Sequence, residues 1–254
     1  MPTPEIIYED DFLCVVSKPQ GMSSHPAPGA RSGTLVQWLQ AQFAARGETD
    51  RHVAIVGRLD RGTSGLVLIV TDPAAHPHLH GQVVRREIHR EYTCLVWGKP
   101  LFEETLVDVP LGRNKVNLRR VMPYDVPDRD LARWDARTAR TRFMVAQRFE
   151  SMALLTARLE TGRMHQIRAH CQYMRHPIVG DPIYGLSSVE HGDPDPLVQQ
   201  TLTDPKLGPA IRALEWQCLH AGRLQFHHPI TGQSIRLESP IPEPFAGLVK
   251  VLGR

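Results

Sequence analysis

Cysteine is sparse and scattered: Cys14, Cys94, Cys171 and Cys218 stand far apart, with neither the close pairs of a zinc ribbon nor the density of a disulfide-stapled secreted scaffold. Reduced thiols in a soluble cytoplasmic protein are therefore expected. No apolar run approaches the roughly 18 residues that a membrane helix needs, and Met1-Pro2-Thr3-Pro4-Glu5 lacks the basic start and apolar stretch of a signal peptide. No Walker loop and no Gly-x-Gly-x-x-Gly turn is present, which argues against a nucleotide-driven or dinucleotide-dependent reaction. Charge of one sign is also lacking: 30 Lys and Arg face 27 Asp and Glu, a net +3, too close to balance to prove a polyanionic partner. What remains is an ordinary globular composition, 41% hydrophobic over 254 residues. One hydrophobic core can still organise that length, so a single domain spanning 1–254 and acting as a monomer is expected.

The apolar patterning predicts a mixed, largely antiparallel sheet with helices at its sides, an α+β fold, because strands do not alternate regularly with helices as a doubly wound sheet would require. Ile6 to Pro19 reads as a hairpin with an acidic turn, and Pro19, Gly21, Pro26, Pro28 and Gly29 mark a loop after it. Thr34 is placed to cap a helix through Phe43, ended by Gly47. Val53-Ala54-Ile55-Val56 and Leu66-Val67-Leu68-Ile69-Val70 are continuous apolar runs, expected of strands buried on both faces. Further strands are expected at Glu91–Gly98, Phe143–Val145, Ala153–Leu159, Leu219–Phe226 and Ser234–Leu237, with helices over Ala74–Val84 and His165–Tyr173. Leu186 to Pro209, rich in Asp, Pro, Ser and Gly, reads as an inserted loop.

Two polar clusters interrupt this frame. Gly57-Arg58-Leu59-Asp60-Arg61-Gly62-Thr63-Ser64-Gly65 sits between two predicted core strands, where a rigid sheet can present a loop to a substrate. Taken alone, Asp60 fits a structural turn aspartate as well as a catalytic carboxylate. In Thr161-Gly162-Arg163-Met164-His165-Gln166-Ile167-Arg168-Ala169-His170, the spacing puts His165 and Arg168 on one helix face and Ile167 and Cys171 on another, so one side is expected to pack and the other to present donors. Between Arg113 and Arg148, nine arginines and Lys115 face only Asp125, Asp128, Asp130 and Asp135, a segment suited either to nucleic-acid phosphates and bases or to a plain solvated face.

Together the clusters resemble the signature motifs of the RluA-type pseudouridine synthases, which act on ribosomal and transfer RNA. Lys18-Pro19-Gln20-Gly21-Met22 resembles the family's opening. Arg58-Leu59-Asp60 with Thr63-Ser64-Gly65-Leu66 resembles its catalytic motif, and Thr161-Gly162-Arg163 with His165-Gln166-Ile167-Arg168 and His170 a later one. His176-Pro177-Ile178, Gly180-Asp181, Tyr184-Gly185 and Leu219-His220-Ala221 follow in family order. The resemblance implies an RNA isomerase that needs no cofactor and no metal. It makes Asp60 the catalytic carboxylate, Arg58 the side chain that helps take the target uridine out of the RNA stack, Tyr92 the ring packed against the base, and Arg168 the cation beside Asp60. Unstacking a base costs free energy that a side chain filling the vacated space offsets, and a nearby cation favours the ionised form of a carboxylic acid.

Two positions leave the family pattern: Gly57 stands where His is usual, and Arg90, two residues before Tyr92, where Lys is usual. Many relatives also carry an N-terminal S4 RNA-binding domain; here the opening strand begins almost at Met1, so no separate S4 domain is expected. A serine hydrolase is the first rival, on Gly62-Thr63-Ser64-Gly65, but a nucleophile elbow needs glycine two after the serine and Leu66 stands there. A non-catalytic RNA binder is the second, and Asp60 argues against it, since a carboxylate facing phosphates would only repel them. His76, His78 and His80 invite a metal, but alternate residues of a helix do not converge on one ion.

Overall fold

The computed structural model describes residues 3–26, 32–115, 117, 120–186 and 196–253. In chain order the elements are β1 (Glu5–Glu9), β2 (Leu13–Lys18), α1 (Leu35–Ala45), β3 (Ala54–Val56), β4 (Ser64–Val70), α2 (His76–Val84) and β5 (His89–Trp97). Then come β6 (Glu104–Asp108), β7 (Leu111–Arg113), β8 (Val121–Pro123), β9 (Ala136–Arg137), β10 (Arg140–Arg148), β11 (Met152–Leu159) and α3 (Gln166–Tyr173). The chain closes with α4 (Pro196–Thr203), α5 (Leu207–Arg212), β12 (Leu219–His227), β13 (Ser234–Glu238) and α6 (Phe245–Leu252). This is the mixed, mostly antiparallel α+β fold expected. It divides into two compact units, Met1–Arg90 with His220–Pro240 and Glu91–Leu219 with Ile241–Arg254.

In the first unit, Asp10 makes the opening hairpin: one carboxylate oxygen accepts from the backbone N–H of Phe12 (2.8 Å) and Leu13 (2.9 Å), the other from the Tyr8 hydroxyl (2.6 Å). β2 runs antiparallel to β4 along one edge, and β3 runs antiparallel to the Leu68–Val70 end of β4 along the other. Where β3 stops, β12 takes over that edge in parallel, pairing His220 with Ser64 and Ala221 with Gly65. Every residue of β4 is buried, as its apolar run implies. β3, by contrast, is half-buried along its length, which corrects the expectation of burial on both faces: a three-residue strand on a shared edge leaves one side open. Leu66, Leu68 and Val70 join Leu13, Val15, Leu79, Leu224 and Phe226 in one core, at roughly 1.5–3 kcal/mol for each fully buried apolar side chain. α1 begins at a capping box between Thr34 and Gln37 and packs through Leu35, Leu39 and Phe43, the spacing of one helix face.

In the second unit, β5, β11, β10 and β6 form antiparallel neighbours in that order, and β8, β7 and β9 make a small separate sheet. α3 corrects a sequence expectation. Gln166 through Cys171 are all buried, so the donors at the start of the helix do not face solvent. His165 precedes it in a left-handed conformation (φ 53°). The donors turn inward because each finds a partner. Gln166 donates to the Arg140 carbonyl at 2.9 Å, and His170 sits between the Thr141 hydroxyl (2.8 Å) and the Val109 carbonyl (3.0 Å). The stretch read as an inserted loop is also corrected in its described part, where α4 and α5 stand, α4 burying Val198 and Thr201 three residues apart. The rest of that stretch, 187–195, lies outside the described residues, as do Pro28 and Gly29 of the earlier loop. All four cysteines are free and buried, and no helix among the described residues is long and apolar enough to cross a membrane.

Candidate active site

Residues 57–63 leave β3 and enter β4 in the first unit, and their backbone is fixed from several sides. Gly57 turns the chain in a left-handed conformation (φ 81°), open to glycine without strain. Leu59 is the anchor. It is buried, its carbonyl accepts from the Ser24 hydroxyl at 2.8 Å, and its N–H donates back to that hydroxyl at 3.3 Å. The Thr63 N–H closes a turn onto the Asp60 carbonyl at 3.0 Å. Gly21 and Arg61 are tied twice, Gly21 N–H to Arg61 carbonyl (2.9 Å) and Arg61 Nε to Gly21 carbonyl (2.8 Å). At the entry to β4, Gly65 (φ 115°) lies so close to β12 that a Cβ there would fall 2.3 Å from the Ala221 carbonyl oxygen. The small residues of the motif thus allow β12 to approach, and the Lys18 to Ser24 loop holds Asp60 from the other side.

Asp60 is half-buried in this frame, while Arg58 and Arg61 are exposed, Arg58 with Nη1 3.3 Å from the His25 ring. Below the loop lies a residue that the motifs leave without a role. Lys18 ends β2 only 1% exposed, its ammonium donating to the carbonyls of Pro19 (3.0 Å), Met22 (2.9 Å) and Arg61 (3.4 Å). Burial pushes this ammonium down to about 7, against the pull of the Asp60 carboxylate. A sequence signal existed, for Lys18 closes a strand whose other residues are almost all buried. An unfolded lysine keeps its proton to near 10.5, so folding releases a proton between about pH 7 and that value, and stability attributable to Lys18 rises with pH across the window. Urea midpoints measured at pH 7 and pH 9 are expected to show the wild type gaining on Lys18→Met as pH rises; parallel midpoints would refute the buried, proton-shedding lysine.

Tyr92 and Arg168 belong to the second unit. Tyr92 is buried in β5 opposite Ala157 of β11. Arg168 is 3% exposed and grips Asp181 with two nitrogens, Nε to Oδ2 at 2.7 Å and Nη2 to Oδ1 at 2.9 Å, with its guanidinium carbon 5.1 Å from the centre of the Tyr184 ring. Burial pushes the Asp181 carboxyl up, but Arg168 and the N–H groups of Ile183 and Tyr184 outweigh it and hold the group below its ordinary value. Sequence reasoning did not connect Asp181 to Arg168; only the order of motifs pointed to it.

Other clusters resolve into structure. Ser64 and His220 form a pair at 2.9 Å, but both are buried and His220 Nε2 lies 2.9 Å from the Ser239 carbonyl. A carbonyl can only accept, so Nε2 carries the proton and Nδ1 accepts from Ser64. Burial also lowers the imidazole's proton affinity, and the pair is a neutral tie between β4 and β12 rather than a nucleophile with its base. Among the described residues no group of three or more His, Cys, Asp or Glu is placed to hold a metal, and His76 and His80 stack on each other. The arginine-rich segment narrows. Arg140 and Arg142 meet Glu160 and Glu104, and Arg148 meets Glu103. Arg119 lies outside the described residues, as do the side chains of Asp128 and Arg129. Exposed Lys115 and Arg133 instead flank the Trp134 ring, at 5.1 and 5.6 Å, which Tyr124 stacks at 5.4 Å.

Residues 12–173, which contain Asp60, Tyr92 and Arg168, match the family model described as RNA pseudouridylate synthase. The chain is 36% identical over 250 residues to the "Uncharacterized RNA pseudouridine synthase YlyB" of Bacillus subtilis, covering 98% of this chain and 72% of that one. It is 34% identical over 248 residues to the "Ribosomal large subunit pseudouridine synthase D" of Nitrosomonas europaea, covering 98% and 65%. Among solved structures, "Human RNA Pseudouridylate Synthase Domain Containing 4" shares the fold, with a TM-score of 0.76 at 21% identity over 98% of this chain and 92% of the human one. With a family match over more than half its length and relatives above 30% identity matched over nearly all of it, the chain belongs to the RNA pseudouridylate synthases, a family of RNA isomerases.

Proposed function

We propose that this chain isomerises one or more uridines of folded large-subunit ribosomal RNA, with Asp60 as the catalytic carboxylate. The observation that carries the role of Asp60 is the fixing of its loop: Ser24, Gly21 and Lys18 hold the backbone on both sides of a half-buried carboxylate flanked by exposed arginines. A turn aspartate with a purely structural role needs no such frame around its neighbours, whereas a reacting group must be held within a fraction of an ångström of its target. The ribosomal target rests on the names of relatives such as that of Nitrosomonas europaea.

The reaction breaks the bond between ribose C1′ and uracil N1, turns the freed base and joins C1′ to C5, with the C5 hydrogen leaving as a proton. Nothing is oxidised or reduced, so no redox carrier is called for. A positioned carboxylate serves at C1′, on the base, or as acceptor of a sugar proton, and in each case it answers positive charge or a proton that develops during bond cleavage. In this proposal Arg58, exposed two residues before Asp60, fills the space that the flipped uridine leaves, Tyr92 packs against its base, and Arg168 supports the ionised carboxylate. Lys115, Arg133 and Trp134 offer phosphate contacts and a stacking face for the surrounding RNA. The protein is proposed to act as a monomer in the cytoplasm, consistent with four buried free thiols.

The test is tritium release from RNA labelled at uridine C5. Wild-type protein is expected to release tritium from large-subunit ribosomal RNA and not from bulk transfer RNA. Release from transfer RNA alone would overturn the ribosomal assignment, and release from neither would favour a binder without catalysis.

A further inference from the structure

The two positions at which the sequence leaves the family pattern meet in the structure. Arg90, in the first unit at the start of β5, donates from Nη2 to the carbonyl of Val56 at 2.6 Å, and Val56 is the last residue of β3 before the Asp60 loop. A Cβ built on Gly57 would lie 2.6 Å from Arg90 Nη2, 2.9 Å from Cζ and 3.4 Å from Nη1. The guanidinium therefore lies across the space that any side chain at 57 would enter. Gly57 is also left-handed (φ 81°), a conformation that side chains strain to adopt.

We infer that Gly57 and Arg90 are a matched pair, in which Arg90 is a positioning residue that pins the root of the Asp60 loop and occupies the place that a side chain at 57 would enter. The geometry accounts for both departures at once. Lysine at 90 is a single point donor on a flexible stem and would leave room over residue 57. Arginine has a planar fork that fixes one N–H on the Val56 carbonyl while the rest of the group covers the glycine. A side chain at 57 is therefore accommodated only if the Arg90 guanidinium swings away from its place on the Val56 carbonyl. Only Arg58 and Leu59 separate Gly57 from Asp60, so displacement at the root moves the carboxylate. A misplacement of about 1 Å is enough to cost as much as ~10²-fold in rate.

This inference rests on Asp60 being the catalytic carboxylate, and the experiment separates the two. Four proteins, wild type, Gly57→His, Arg90→Lys and the double variant, are compared with Asp60→Asn in single-turnover tritium release with RNA saturating, alongside RNA affinity. Gly57→His is expected to lose at least about tenfold in turnover with affinity little changed, and Arg90→Lys added to it to recover the part that comes from the guanidinium contact, the part that comes from the left-handed backbone remaining. A double variant no better than the product of the single effects would overturn the pairing. If Gly57→His does not fold, Gly57→Ala gives the same comparison, because its Cβ already meets the guanidinium; failure of Arg90→Lys to improve it would again overturn the pairing. Undiminished release by Asp60→Asn would instead overturn the catalytic reading.

Discussion

Asp60→Asn is expected to abolish tritium release, a fall on the order of 10⁴-fold or more, the scale seen when the central reacting group of an enzyme is removed, while the protein stays folded and keeps its affinity for RNA. The substitution is nearly isosteric. It leaves in place the backbone that positions the loop: the Thr63 N–H still reaches the residue-60 carbonyl, Ser24 still holds Leu59, and Gly21 still holds Arg61. What changes is the side chain, from a carboxylate able to attack or to accept a proton to a neutral amide that can do neither. A carboxylate near phosphates repels them, so removing it should leave binding unchanged or tighter. That sign distinguishes the enzyme from a binder: a fall in RNA affinity equal to the fall in tritium release would show that Asp60 serves binding. Circular dichroism and a urea midpoint close to wild type would complete the test, since a structural aspartate would disturb both.

How much of this was legible in the sequence depends on the range of the interaction that decides each feature. The opening hairpin, the Thr34 cap and β4 were readable because each is fixed by neighbours in the chain: Asp10 bonds to residues two and three ahead, Thr34 to residue 37, and a seven-residue strand declares its burial through its own apolar run. β6 to β9 went unread because strands of two to five residues, three of them in a separate small sheet, carry too little pattern. α3 was placed correctly but given the wrong surroundings. Helical periodicity sorts apolar from polar positions, and it cannot show that Gln166, Arg168 and His170 each have a buried partner 13 or more residues away. Asp60 and Arg58 are legible in the motif, which encodes a loop, while Lys18 lies within a motif that does not show what it does. The meaning of Lys18 comes from carbonyls at positions 19, 22 and 61 that converge only in the folded unit. Gly57 and Arg90 show the same limit: each departure is visible alone, and their connection across 33 positions of sequence is not.

The largest stability effect is expected at Arg168. Arg168→Ala should cost about 3–5 kcal/mol at neutral pH, because it strands the Asp181 charge in a site where the two side chains are 0–4% exposed. The pH dependence has a definite sign. Asp181 in the folded protein lies below its ordinary value of 3.8, so its contribution is fully present above that value and is lost as pH falls through the depressed one. Without Arg168 the opposing effect of burial prevails and the carboxyl binds its proton more readily, so the deficit of Arg168→Ala should be greatest near pH 7 and narrow toward pH 4. Urea midpoints at the two values measure this, and a deficit independent of pH would refute the ion pair as its source. The same pair also separates stability from the proposed support of Asp60. Asp181→Asn leaves the guanidinium in place and removes only its counter-charge, so it should lower stability yet retain turnover of bound RNA per folded molecule. Arg168→Ala should lose both. Equal retention of turnover in the two variants would confine Arg168 to the architecture of the second unit.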